Sequence, residues 1–419
     1  MVHDARRKKS RRQRILFENE DRVRENLFPV IDERGGVDPG TMAMRMFAGV
    51  GVLLACLACQ SDSARLRSNE VLHPTPANAP SPEATVIRLT VTELEWPQAA
   101  SAAWRDARDK IVAARTTLVI GDNRKGPTNF GRVRDVAVTS KGDVLVLDDD
   151  AQEVRVFDSA GRFVQTIGGL GDGPTEFRYA NGIELFGDRR LIVSSRGFKR
   201  FKVFRETETG WDLDRIAELP VAATDMCAGD AGRLFLTGFT EDRNLLVHEF
   251  ADEGIVSSFA EGYQADHWFL RYYMSKGLIG CLNEPVRVAF AFELLPAVRL
   301  FTPGGGAPAW TSRIGDFIQP PVIQVVADDG QPAMRRGKPT TEDGVASLHG
   351  ILPGYLLLQV ARYSTAKRKL DVRSYLVDAE TGAGAYMGDA ALPPVLSVFP
   401  GGFVAMFEDP YPRLEVRVY

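Results

Sequence analysis

The stretch IGDNRKGPTNF at residues 120–130 returns 47 residues later as IGGLGDGPTEF at residues 167–177, with Ile, Gly, Gly, Pro, Thr and Phe in the same places. The register holds downstream: Val136 aligns with Ile183, Val138 with Leu185, Leu145 with Ile192, Val146 with Val193, and Val156-Phe157 with Val203-Phe204. A period of roughly 20 to 50 residues marks stacked or radial repeats, in which each unit buries its apolar face against the next. The glycines are therefore read as a repeated joint. Gly169, Gly171 and Gly173 do not make G-x-G-x-x-G, and no G-x-x-x-x-G-K-[ST] occurs, so a phosphate cradle is not indicated.

Around this joint lie short apolar runs broken by Gly, Pro, Asp and Asn, the pattern of an all-β fold with evenly spaced strands. VRDVAVTS, KGDVLVLDD, EVRVFDSAG and RFVQTIGG read as four strands. The turn residues Ser140-Lys141-Gly142-Asp143 and Asp158-Ser159-Ala160-Gly161 separate them. The third strand can be counted: VRVF at 154, FKVF at 201, LLVH near 245, VRLF at 298, VRSY at 372 and VRVY at 416, six in all. Alternation places the basic residue on one face and its neighbours on the other. The wide interval before the fifth copy predicts an insertion, with residues 325–344 as a long polar loop. The sixth unit has no fourth strand after Tyr419, whereas TTLVIGD at residues 116–122 looks like a fourth strand standing before the first unit. Pairing the two closes a ring and removes an open sheet edge. The expected fold is all-β: a six-bladed β-propeller of four-stranded antiparallel blades, closed by an N-terminal strand that completes the last blade.

The chain has 419 residues and a formal net charge of -4. Residues 1–59 hold 11 Lys or Arg against 8 Asp or Glu, leaving 40 against 47 for the remainder. An acidic body argues against nucleic acid as a partner, because that binding rests on neutralising phosphates. Residues 1–41 read as a basic extension, disordered or lying before the true start. SRRQRIL at residues 10–16 faintly resembles a twin-arginine export signal, but acidic residues follow where an apolar core belongs. Residues 42–59 have one early cation, Arg45, and a short uncharged run, which suits a signal peptide better than a membrane span of about 20 residues. VLLAC resembles the lipobox of bacterial lipoproteins, which implies lipidation at Cys56, with Cys59 as the alternative. Residues 60–98 are rich in Ser, Pro and Ala and read as a flexible tether. Residues 99–419 form the propeller. The expected location is the cell envelope, anchored in a membrane and facing the periplasm or exterior.

GDGPTEFRYANGIEL, followed by a strand and KVFRETETG, resembles the NHL-repeat six-bladed propellers and, with the lipobox, the bacterial propeller lipoproteins. The resemblance spans about residues 116–419 and is sharp in the first two units. Such propellers include binding platforms, calcium-dependent lactonases, zinc-dependent amidating lyases and strictosidine-synthase-like proteins, so fold alone does not choose among them.

The residues narrow the choice. After the tether only His248, His267 and His349 could serve a zinc site, and hydrogen-bonded structural roles are expected for them. Asp148-Asp149-Asp150 could attract calcium, but a solvated turn is the expected use, and no D-x-[DN]-x-[DN]-G or G-x-S-x-G occurs. No cofactor is expected. Cys227 and Cys281 align with Ala137 on neighbouring inner strands; two buried free thiols are expected, with a disulfide the alternative in an oxidising compartment. A propeller's ligand site lies at the mouth of its channel. Register brings together Arg134, Asn181 and Thr224, then Asp135, Gly182 and Asp225. Arg132, Tyr179, Arg196, Trp268, Arg271 and Tyr272 fall in loops nearby. DHWFLRYY is the densest aromatic and cationic segment, the composition that interfaces concentrate, with packing between blades as its other use. The expectation is a monomeric binding or scaffold module for a protein, peptide or glycan. The alternatives are a divalent-metal lactonase, hydrolase or lyase and a structural subunit of an envelope complex.

Overall fold

The structure, a computed structural model, describes residues 86–87 and 101–419, except 188, 230–231, 241–243, 252–253, 327–331, 338–339, 366–368 and 389–391. The basic extension, signal segment, Cys56, Cys59 and most of the tether lie outside the described residues.

Strand β1 (Val86–Ile87) is followed by helix α1 (Ala102–Val112) and strand β2 (Arg115–Ile120). The first blade is β3 (Val133–Val138), β4 (Val144–Asp148), β5 (Glu153–Phe157) and β6 (Phe163–Gly168). The second is β7 (Ala180–Phe186), β8 (Arg190–Ser195), β9 (Arg200–Glu206) and β10 (Trp211–Glu218). The third is β11 (Asp225–Gly229), β12 (Arg233–Thr237), β13 (Leu245–Ala251) and β14 (Gly254–Glu261), with helix α2 (Trp268–Met274) after it. The fourth is β15 (Gly277–Leu282), β16 (Arg287–Phe292), β17 (Ala297–Phe301) and β18 (Trp310–Arg313). A hairpin, β19 (Val322–Val326) and β20 (Pro332–Arg336), precedes the fifth blade: β21 (Thr341–Leu352), β22 (Tyr355–Ser364), β23 (Lys369–Asp378) and β24 (Gly384–Tyr386). Strands β25 (Val395–Phe399), β26 (Gly402–Phe407) and β27 (Arg413–Val418) form the sixth blade with β2, in the order β2-β27-β26-β25. The molecule is an all-β six-bladed propeller of four-stranded antiparallel blades. In the sixth, Leu118 stands opposite Val416.

Alternation explains where the apolar surface goes. The middle strands of each blade are covered on both sides, so β4 is buried along its whole length, while the outer strand β6 is mostly exposed. Each joint between blades then has its own buried cluster. Leu145, Val154 and Ile167 meet Ile183, Leu191 and Phe204 between blades one and two. Between blades five and six the cluster includes Trp104, Ala107 and Ile111 of α1. Their spacing is that of one helical face, and Ser101 caps the helix by accepting a hydrogen bond from the Trp104 backbone N–H. Trp104 Nε1 donates to the Leu376 carbonyl at 2.9 Å. Residues 325–344 are not a long loop: the hairpin β19–β20 pairs with β1, and β21 begins at Thr341.

The repeated loop is explained by its contacts. Arg155, the basic residue of VRVF, donates to the carbonyls of Pro127 (3.1 Å) and Asn129 (2.6 Å). Lys202, its equivalent in FKVF, donates to the carbonyls of Gly173 (2.8 Å) and Glu176. Phe130 meets Phe157 edge to face at 6.0 Å, and Phe177 meets Phe204 the same way at 5.9 Å. The two motifs are thus halves of one staple: the third strand supplies a cation and a ring, and the loop supplies carbonyls and a ring. Gly168 is obligatory in it, with φ +86° and with the Phe177 ring 2.2 Å from where a Cβ would stand. Hence the glycine-rich stretch points its carbonyls inward and holds a joint.

Candidate functional site: the mouth of the central channel

The inner strands surround a channel of about 2110 Å³. Near their starts, β-bulges interrupt the ladder in blades one and two, between Val133 and Asp135 and between Ala180 and Gly182. A bulge leaves one residue unpaired and re-aims its side chain. Here those residues are Arg134 and Asn181, and both line the channel. Blades five and six have bulges at the same level, and there the residues are Ala346 and Leu396. The bulged residues are therefore polar in blades one and two and apolar in blades five and six.

Of the anticipated rim, Arg134, Asn181, Arg196, Asp225 and Tyr272 line the channel, together with Thr224. Arg132, Tyr179, Trp268 and Arg271 are not part of that lining. Arg132 is bonded to Asp149 and lies 3.6 Å from Asp150. Tyr179 is 57% exposed in a left-handed backbone conformation (φ 59°), and its carbonyl accepts the Arg196 N–H at 2.7 Å. DHWFLRYY forms α2 in place of the expected loop, capped by His267. Leu270, Tyr273 and Met274 turn into the core beside the third and fourth blades, while Trp268 and Tyr272 stay exposed. Tyr272 meets Phe239 edge to face, and the Lys276 ammonium sits 5.1 Å from its ring centroid. The segment thus divides between packing and presentation, as a helix with two faces must.

Below the mouth stand three carboxyls, Asp135, Glu184 and Asp225. Asp135 accepts the N–H of Ile183 in the next blade at 2.8 Å, and Asp225 accepts that of Ile279 at 2.9 Å, so each ties its blade to its neighbour. Protein surrounds all three while channel solvent still reaches them. Burial raises Asp135 to about 7, against the lowering effect of its backbone hydrogen bonds. Glu184 rises to about 8 through burial and the charge of Asp135, and Asp225 to about 6 through burial. Glu184 is absent from the anticipated rim; an ionisable residue at an inner-strand position, in NGIELF, is the signal that points to it.

The side chains singled out for a metal bond other groups of the protein. Asp148 is fully buried; it accepts the N–H groups of Gly131 and Arg132 and lies 3.2 Å from Arg155. Asp149 is held by Arg132 and Gln152. His248 bonds Ser258 and the Gly238 carbonyl, and His349, lowered to about 4 by burial, bonds the Val395 carbonyl. Among the described residues no three of His, Cys, Asp or Glu are grouped as metal ligands.

Cys227 and Cys281 form a disulfide, which corrects the expectation of free thiols. Inner strands of neighbouring blades converge toward the axis, and here they bring the two Cα atoms to 5.6 Å, within the reach of such a bond. Disulfides persist in oxidising compartments. No helix among the described residues is long and apolar enough to cross a membrane.

Residues 127–249 match the family model DUF5128, described as a 6-bladed beta-propeller. No curated protein matches the chain. A putative exported protein from Bacteroides fragilis is 12% identical, with a TM-score of 0.49 over 77% of this chain and 98% of that one. A catalytically inactive virginiamycin B lyase from Staphylococcus aureus is 12% identical, with a TM-score of 0.41 over 72% and 99%. The PQQ-bound aldose sugar dehydrogenase from Streptomyces coelicolor is 12% identical, with a TM-score of 0.41 over 73% and 98%. Likeness at this level says nothing of activity.

Proposed function

We propose that the protein is an exported, lipid-anchored binding module that receives a protein, peptide or glycan at the channel mouth. The observation that carries this reading is the set of side chains that bulges present at the mouth, Arg134 and Asn181 from blades one and two and Ala346 and Leu396 from blades five and six, with Tyr272 between them in blade order. A concave site with apolar walls and a few placed polar groups is what ligands use. The disulfide supports an oxidising location, and the VLLAC segment supports attachment through Cys56.

A second reading is hydrolase or lyase chemistry without a metal, favoured by three channel carboxyls raised toward neutrality, where a proton donor is most useful. The test uses the full-length chain from detergent-solubilised membranes. Mass spectrometry is expected to find the N-terminal peptide lipidated at Cys56; an unmodified peptide containing both Cys56 and Cys59 overturns the anchor. The same preparation is applied to peptide and glycan arrays. Hits that Tyr272→Ala abolishes support the binding role, hits indifferent to it place binding elsewhere, and hits consumed on incubation favour the enzyme.

A further inference from the structure

Arg134 and Arg196 both line the channel, in the first and second blades. Neither guanidinium has a hydrogen-bond or ion-pair partner among the described residues; Arg134 is half-buried and Arg196 exposed. Burial and then the charge of Arg196 depress Arg134, while the charges of Asp149 and Asp135 act against them. Two like charges near one another repel unless something of opposite sign lies between them. The nearby carboxylates Asp149 and Asp135 offset part of that repulsion without bonding either guanidinium. Asp149 is bonded to Arg132 and Gln152, while Asp135 and Asp225 accept backbone N–H groups of the adjoining blades. Beside the arginines, Asn181 accepts from the Ser194 hydroxyl at 3.1 Å, and its amino group has no protein partner.

We propose that Arg134 and Arg196 form an oxyanion fork at the channel mouth that takes a carboxylate or phosphate group of the ligand, with the Asn181 amide as a further donor. The inference rests on the binding role proposed above and names the chemistry it selects. Planar guanidiniums match the paired oxygens of carboxylates and phosphates, and the low dielectric of the channel wall strengthens each bond. A spherical halide satisfies the same charge without the paired geometry.

The full-length chain is titrated calorimetrically with inorganic phosphate, succinate and chloride at matched ionic strength. Phosphate or succinate is expected to bind in preference to chloride, with the stronger of the two naming the source of the oxyanion. Arg196→Gln and Arg134→Gln are each expected to lower that affinity roughly ten- to hundredfold, the worth of a charge-assisted bond. Arg162→Gln, in an exposed turn beside Asp158, leaves it unchanged. Should Arg134→Gln fail to fold, Arg196→Gln decides alone. No oxyanion binding, or wild-type affinity in the Gln variants, overturns the fork. An uncharged array ligand lost in Tyr272→Ala but kept in Arg134→Gln and Arg196→Gln sinks the fork while leaving the binding face intact.

Discussion

The joint between blades one and two and the joint between blades three and four solve one problem by different means. Both use an inner-strand aspartate that accepts an N–H of the next blade, Asp135 to Ile183 and Asp225 to Ile279. The first joint adds the loop staple of Lys202 and Phe177, a copy of that made by Arg155 and Phe130. The second adds a covalent bond between the inner strands. A repeated staple leaves a periodic trace in the chain, because the same cation, ring and loop must recur. A disulfide leaves two cysteines 54 residues apart, which many folds could separate or join.

The largest expected effect tests the loop staple. Arg155→Ala removes two loop hydrogen bonds and leaves Asp148, fully buried, without its cation. Losing one member of a buried pair costs about 3–5 kcal/mol. Lys202→Ala should cost less, about 1.5–3 kcal/mol, since it strands no buried carboxylate. Denaturant midpoints of both variants check the order, and equal losses would show that the Asp148 pair adds nothing to the first staple.

Next comes the covalent joint. Replacing Cys227 and Cys281 by Ser should lower stability by about 2–4 kcal/mol. Reductant should lower the melting temperature of the wild type and leave the Ser variant unmoved; a wild type indifferent to reductant would remove the contrast between the joints.

The smallest effect concerns the shared element. Asp135, Glu184 and Asp225 have folded pKa values raised to about 7, 8 and 6, whereas their unfolded counterparts ionise near 4. Between those limits the folded state holds the extra protons, so these groups make stability fall as pH rises from about 4 to about 8. His349, lowered to about 4, acts in the opposite sense as pH falls below 6.5. Asp135→Asn is therefore compared with wild type across that range: a shallower loss of stability toward pH 8 is expected, and parallel curves would show that Asp135 does not carry the dependence.

What could be read from the chain follows the same division. The recurrence of Ile-Gly and Gly-Pro-Thr-x-Phe, and the six third-strand copies, identify a radial repeat because every blade must meet the same packing demand. Helix α1 is legible from the cap Ser101 and the spacing of Trp104, Ala107 and Ile111, but it lies outside the strand repeat. Part of the rim was legible too: Arg134, Asn181 and Asp225 follow from strand register, since register fixes which residues share a level.

Other features were decided only in three dimensions. The bulges that turn Arg134 and Asn181 into the channel interrupt the ladder without any glycine at the bulged position, so local residues do not announce them. Among the described residues no carboxylate bonds Arg134 or Arg196, because Asp149, Asp135 and Asp225 direct their oxygens elsewhere, which is a matter of neighbouring blades. The repeated unit, the number of copies and the loop that joins them are legible in the chain, because those rest on contacts within a unit or with its adjacent copy. The disulfide, the raised carboxyls and the guanidiniums of Arg134 and Arg196 come from the assembled ring, because charge and bonding at the axis depend on how strands distant in sequence converge there.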